Sequence, residues 1–300
     1  MCVSTLANER STGYQAAWWH WLWFLGQVIL VVIVASADDV VHGLSGHNNV
    51  QGAIANADKI VTFEAAHDLW IEPAIQTFFT HTHAVLGTAI GYAQMVPIFN
   101  AIYGLGHVGV TFLFALWMYL YRRPLFRFVR NIFLLTNVLA IMIYEVFPLA
   151  PPRLAKGLRW EDRPYHFIDT IFGAGSGLKM GFNEFAAMPS LHVGWALIVA
   201  LTLFMVVRRP LIRLLVLCYP ILMMTTVIVT GNHYLADGLG AALVLSIATI
   251  LSLMIERWGS GERSILDVWR RLDRLRYGET TEPPLQGRAE QQGTIHRTAA

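Results

Sequence analysis

Six separate runs of apolar residues, each roughly 18 to 24 long, leave this chain few ways to fold. They are Trp18 to Ala35, Ile98 to Tyr121, Phe128 to Phe147, Leu191 to Val207, Leu211 to Thr230 and Leu235 to Ile255. A helix of that length crosses the hydrocarbon core of a bilayer, and in lipid only helices and closed barrels satisfy their own backbone. Composition agrees. Charged residues are 14% and apolar residues 55% of the chain, whereas about a quarter of a soluble domain is charged. The expected fold is all-α, a polytopic membrane helix bundle of about six spans.

A seventh apolar segment, Ala74 to Val96, carries Gln76, Thr80, His81, Thr82, His83 and Gln94, and only Pro97 separates it from the next span. One residue cannot reverse a helix, so the segment is expected to lie in the interface or re-enter. Ile60 to Ile71 mixes Phe63, Leu69, Trp70 and Ile71 with Glu64, Asp68 and Glu72, the pattern of an interfacial helix.

Arginines set the orientation. Arg122, Arg123, Arg127 and Arg130 fall between two spans, Arg208, Arg209 and Arg213 between two others, and Arg257, Arg263, Arg270, Arg271, Arg274 and Arg276 after the last. Counting crossings puts all three groups on one side, which the positive-inside rule makes cytoplasmic. Both termini are then cytoplasmic, and the loop from Pro148 to Pro189 faces out of the cytoplasm, as do the starts of the spans at Leu191 and Leu235. That loop runs against the rule, with Arg153, Lys156, Arg159, Arg163 and Lys179.

The expected organisation is a short cytoplasmic segment over 1–17, a membrane-embedded domain over 18–256, a basic amphipathic helix over 257–276 and a disordered tail over 277–300. Ala35-Ser36-Ala37 resembles a signal-peptidase site, but the long apolar run before it reads as an uncleaved anchor. Cys2 and Cys218 show neither metal spacing nor a plausible disulfide.

Two short motifs carry the chemistry. In AAMPSLHVGWAL, Ser190 is placed to cap a helix whose first-turn N–H groups would cradle an anion, with His192 beside it to pass a proton. The plain alternative is a capped helix with an incidental histidine. In TGNHYLADGLGA, His233 and Asp237 are four apart and share a helical face. A carboxylate accepting one imidazole N–H leaves the other nitrogen as base or nucleophile, although a structural His–Asp hydrogen bond has the same spacing. Two spans separate His192 from His233, so both helices start on one face, and the loop holding Arg153 in FPLAPPRLAKGL feeds that face. Arginine suits bidentate contact with phosphate and, equally, snorkelling at an interface.

The order of a proline-rich arginine loop, PSLH and then HYLAD resembles the three signature motifs of the type 2 phosphatidic acid phosphatase superfamily, over roughly Arg130 to Ala242. The PSLH form places it nearest the branch that resembles inositol phosphorylceramide synthases, which are inositol phosphotransferases. The resemblance implies a lipid phosphate as substrate, with water or a polyol or sugar as acceptor. His233 is the implied nucleophile, forming a phosphohistidine with help from Asp237. His192 is the implied general acid and base, and Arg153 and Ser190 the implied phosphate contacts. It implies no cofactor and no metal, and no nucleic-acid partner is expected. Val146 and Val227 stand where the family's phosphatases carry a lysine and an arginine, leaving Lys156, Arg159 or Lys179 as substitutes. A transporter or channel, or a non-catalytic membrane scaffold, are the rival readings.

Three weaker features complete the reading. Asn100, Tyr103 and His107 recur at helical spacing and either line a polar groove or bond between helices, the second being favoured. Gly173, Gly175 and Gly177 lack the following Lys-Ser or Lys-Thr of a nucleotide loop. Asn183 is a candidate for holding the outer loop against the active face.

Overall fold

The computed structural model describes residues 21–30, 32–34, 37, 50–81, 83–85, 88–155, 157–160, 163–170, 183–260 and 265–276. Its elements run α1 (Trp21–Val34), α2 (Val50–Ala66), α3 (Glu72–Thr80), β1 (His83–Val85), β2 (Thr88–Ile90), α4 (Tyr92–Ala101), a π-helical turn (Ile102–Gly106), α5 (His107–Tyr121), α6 (Arg123–Val146), β3 (Arg159–Trp160), β4 (Arg163–Pro164), α7 (Leu191–Val206), α8 (Pro210–Val229), α9 (Leu235–Ser260) and α10 (Ile265–Arg276). Strands β1–β2 and β3–β4 form two small antiparallel hairpins, so the fold is helical apart from two clips.

Among the described residues four helices are long and apolar enough to cross a membrane: Gln94–Tyr121, Leu125–Val146, Pro210–Val229 and Leu235–Gly259. Trp21–Val34 and Leu191–Val206 are shorter apolar helices. Local sequence sets the boundaries. Proline in the first turn opens α6 and α8, where its missing N–H costs nothing. Ser190 caps α7 by accepting the Val193 N–H at 3.4 Å. Helix α8 ends in a paired closure: the Gly231 N–H donates to Ile228 O and the Asn232 N–H to Val227 O. That closure needs a left-handed residue, and Gly231 supplies it with φ of 70°.

The bundle has two ends of different character. Toward the arginine-bearing end, α1, α5, α6, α7 and α9 meet in an aromatic core that includes Phe114, Met118, Tyr119, Phe126, Phe133 and Leu245. Arg271 on α10 pairs with Glu256 on α9 at 2.8 Å, and Leu272 is buried, so α10 folds back beneath this end. At the opposite end α2, α3 and the described parts of the chain between Pro148 and Thr170 form a cap over the starts of α7 and α9. The Asn56 side chain donates to Pro148 O, the Ala150 N–H to Ala53 O, and the Leu149 N–H to Phe185 O.

Three expectations need correction. Ala74 to Val96 is not one segment: α3 stops at Thr80, a hairpin follows, and α4 begins at Tyr92, so Pro97 lies inside the helix that leads into the span. Nor is Ile60 to Ile71 one amphipathic helix, because α2 ends at Ala66, Asp68 turns the chain with φ of 56°, and Glu72 opens α3. Glu64 and Glu72, named there as polar members of an interfacial helix, are buried. The segments 1–17 and 277–300, Ala35 and Ser36 of the Ala35-Ser36-Ala37 site, Gly173, Gly175, Gly177, Lys156, Lys179 and Arg263 lie outside the described residues, as do the side chains of Arg159 and Arg163.

Candidate active site

His233 follows directly from the closure of α8. After Asn232 the chain turns into α9, whose first helical residue is Leu235. The His233 ring therefore sits just outside the helix while Asp237 lies one turn inside it, and their side chains meet with Nδ1 3.1 Å from Oδ2. The same Nδ1 lies 2.8 Å from the carbonyl oxygen of Ala187. A carboxylate and a carbonyl can only accept, so Nδ1 carries the proton and Nε2 keeps its lone pair. Asp237 Oδ2 also accepts the Tyr234 N–H at 2.9 Å, which locks the carboxylate in place.

The two motifs are stitched together by backbone. The Ser190 N–H donates to Asp237 O at 3.1 Å, and the Tyr144 hydroxyl to Pro189 O at 2.7 Å. The imidazoles of His192 and His233 lie with centroids 6.0 Å apart. Arg153 reaches the same place from the cap. Its N–H donates to Gly231 O at 3.0 Å, and its guanidinium Nε donates to Asn232 Oδ1 at 2.9 Å. Asn232 is itself held by Thr230 through Oγ1 at 2.9 Å. All five residues singled out in the sequence, His192, His233, Asp237, Arg153 and Ser190, thus gather at the joined starts of α7 and α9.

Gly231 is required here twice over. Besides its positive φ, a Cβ there would stand 3.0 Å from Ile168 O and 3.3 Å from Arg153 Cβ.

Sequence reading missed several supports. Gln76 on α3 is fully buried and ties three segments, donating from Nε2 to Ile168 O and Val229 O and accepting the Ile168 N–H. Tyr103 stacks on His192 at 4.1 Å and 21°, and His107 stands between His192 and Trp195. The π-helical turn separates the two from ordinary helical register, a departure common at functional sites. Of the trio, Asn100 bonds across segments, to Thr170 through both amide atoms, and His107 Nδ1 lies 3.4 Å from the Tyr219 hydroxyl on α8, while the Tyr103 and His107 rings also stack under His192. Asn183 accepts the Phe185 N–H at 3.1 Å. Tyr234 donates its hydroxyl to Ala150 O, and burial pushes its ionisation well above the usual tyrosine range, so it stays neutral.

The first turns of α7 and α9 differ in one respect. In α9 the N–H groups of Tyr234, Leu235 and Ala236 go to the carboxylates of Asp237, Glu72 and Glu64. In α7 Ser190 takes the Val193 N–H, and among the described residues the N–H groups of Leu191 and His192 have no protein acceptor. Among the described residues, the open donors of the two helix starts are thus the N–H groups of Leu191 and His192.

The valines at the family's cation positions are placed differently from each other. Val146 is 85% exposed on the outside of the bundle, while Val227 is fully buried, and neither brings a charge to the site.

No curated protein and no solved structure matches the chain. The sequence profile of the PAP2 superfamily matches residues 58–251, nearly two thirds of the chain and all of the residues just described. With that match joined to its apolar helices, the chain belongs to the PAP2 superfamily and has the makings of a membrane protein with phosphatase-type chemistry.

Proposed function

We propose that the protein is a membrane-embedded lipid phosphate phosphatase or phosphotransferase that works through a phosphohistidine on His233. The observation that carries this reading is the pairing of a directional imidazole with a second one. His233 Nδ1 faces two acceptors, and His192 lies with its ring centroid 6.0 Å away. With reacting atoms about 3 to 3.5 Å apart, both rings can reach one phosphoryl group.

In the first step His233 Nε2 attacks phosphorus, the phosphorus–oxygen ester bond breaks, and protonated His192 gives its proton to the leaving alkoxide. In the second, His192 removes a proton from water or an alcohol, whose oxygen attacks phosphorus as the phosphorus–nitrogen bond breaks. Asp237 holds the tautomer and offsets the positive charge that develops on His233. Arg153, and the Leu191 and His192 N–H groups behind the Ser190 cap, meet the phosphoryl oxygens.

The topology proposed is six spans, the four long helices together with α1 and α7. The arginines around α5–α6, α7–α8 and α9–α10 sit at the helix ends away from the histidines, which supports a site facing out of the cytoplasm at a cell membrane. A substrate headgroup would then enter at the level of the cap. The PSLH form and the uncharged Val146 and Val227 favour the transferase branch, with inositol or another polyol or sugar as acceptor.

The test uses purified protein in detergent with a panel of lipid phosphates, with and without inositol. Free phosphate alone identifies a phosphatase, and a new inositol-bearing product a transferase. The His233→Ala protein is expected to lose at least about 10³-fold in either product. Undiminished turnover by that variant rejects the assigned nucleophile.

A further inference from the structure

Glu64 on α2 and Glu72 at the start of α3 are only 1% and 0% exposed. Their Oε1 atoms accept the N–H groups of Ala236 at 2.7 Å and Leu235 at 2.6 Å, the first turn of α9. Each Oε2 is buried and finds no N–H or O–H donor among the described residues, and because the two Oε1 atoms accept from successive backbone N–H groups, the two carboxyls lie side by side. Two carboxylates have no hydrogen to share, whereas a carboxyl and a carboxylate do. The sequence offers no lysine or arginine between Lys59 and Arg122 to neutralise the pair locally.

We propose that Glu64 and Glu72 share one proton and, as a proton-linked pair, are positioning residues that fix the first turn of α9 and with it His233. The proton supplies the missing donor and halves the charge beneath a site meant for an anion. It also keeps both Oε1 atoms aimed at the helix, because repulsion between two bare carboxylates would drive them apart. This rests on the reading of His233 as nucleophile for its consequence in catalysis, but not for the proton itself.

Among the described residues the groups that bear on the pair are acidic: Asp237 from α9 and the Tyr234 phenol just before it, with Asp58 on α2 bearing on Tyr234 in turn. Burial first, and then the Glu72 carboxyl, push Glu64 up to about 9; burial likewise raises Glu72. The folded chain therefore holds a proton that the unfolded chain releases near the ordinary value of 4.5. Between those limits the folded state binds more protons, so stability falls as pH rises, and above about 9 the proton leaves.

The test compares Glu64→Gln and Glu72→Gln with Glu64→Ala and Glu72→Ala. Glutamine can accept the helix N–H with its oxygen and donate to the remaining carboxylate with its nitrogen, so it replaces the shared proton permanently. The native protein is expected to show the infrared carbonyl band of a buried protonated carboxyl at pH 7, absent from both Gln variants. Its melting temperature should fall from about pH 6 to about pH 9, while that of Glu64→Gln stays level. Both readouts need no turnover, so they judge the shared proton even if the enzymatic reading fails. With a lipid phosphate that the native protein turns over, the Ala variants should lose about tenfold in kcat with little change in KM, and the Gln variants should retain it. If the Ala proteins do not fold, the Gln pair still decides. Persistence of the band in both Gln variants, parallel melting curves, or loss of kcat in the Gln variants equal to that in the Ala variants overturns the proposal.

Discussion

The two helices that carry the histidines begin in opposite ways. Helix α9 starts with three successive N–H groups capped by three carboxylates, two of them brought from α2 and α3. Helix α7 starts with a single serine cap and two N–H groups that have no acceptor among the described residues. A helix N-terminus attracts an anion, and here one start is occupied by the protein's own acidic side chains while the other, in the proposed function, would receive an outside one. The difference assigns the labour. Under the proposed function, the α9 end would be a rigid mount for the nucleophile, whose direction must not drift, and the α7 end a receptor for the phosphoryl oxygens.

Substitutions can break that contrast from either side. The largest effect is expected at the mount. Asp237→Asn preserves size and can still accept the Tyr234 N–H, but it no longer offsets charge on His233 or dictates its tautomer. We expect kcat to fall on the order of 10² to 10⁴-fold, read by steady-state phosphate release, with folding intact. A kcat within a few-fold of native would mean that the His–Asp contact is structural. A smaller effect is expected between the two ends, at Tyr103, whose ring lies against His192. Tyr103→Ala should lower kcat about tenfold, while Tyr103→Phe, which keeps the stack, should stay near native. Equal losses in both would point to the hydroxyl instead of the ring. The smallest belongs to the receptor. Ser190→Ala removes one cap hydrogen bond and should raise KM a few-fold with a stability loss of about 1 kcal/mol, measured by thermal melting. A collapse of kcat in that variant would show that the α7 start is also a mount.

Much of this was legible in the sequence, and the part that was not has a common cause. Span positions follow from uninterrupted apolar length, so Leu211 to Thr230 and Leu235 to Ile255 lie within a few residues of α8 and α9. The PSLH and HYLAD residues were legible because each motif is local: Ser190 caps its own helix, and His233 meets Asp237 one turn away. Glu64 and Glu72 were misread because their partners lie 172 and 163 residues downstream, and a local window sees only acids alternating with apolar residues. Their mark was present all the same. Two acids near Phe63 and Trp70, in a stretch without lysine or arginine, must find backbone donors or a proton. Gln76 escaped for the same reason, since its three backbone partners come from the cap loop and the end of α8. The break between α3 and α4 was hidden by composition, because the hairpin residues Ala84, Val85, Ala89 and Ile90 are as apolar as the helices around them.

The most direct measurement is to look for the phosphoryl group on the protein. The native chain would be incubated with a phosphorus-labelled lipid phosphate, quenched in alkali to preserve a phosphorus–nitrogen bond, and digested for mass spectrometry. The account predicts alkali-stable, acid-labile label on the peptide containing His233, and none in His233→Ala. Sustained turnover with no label on that peptide, or label on His192 in its place, would contradict it.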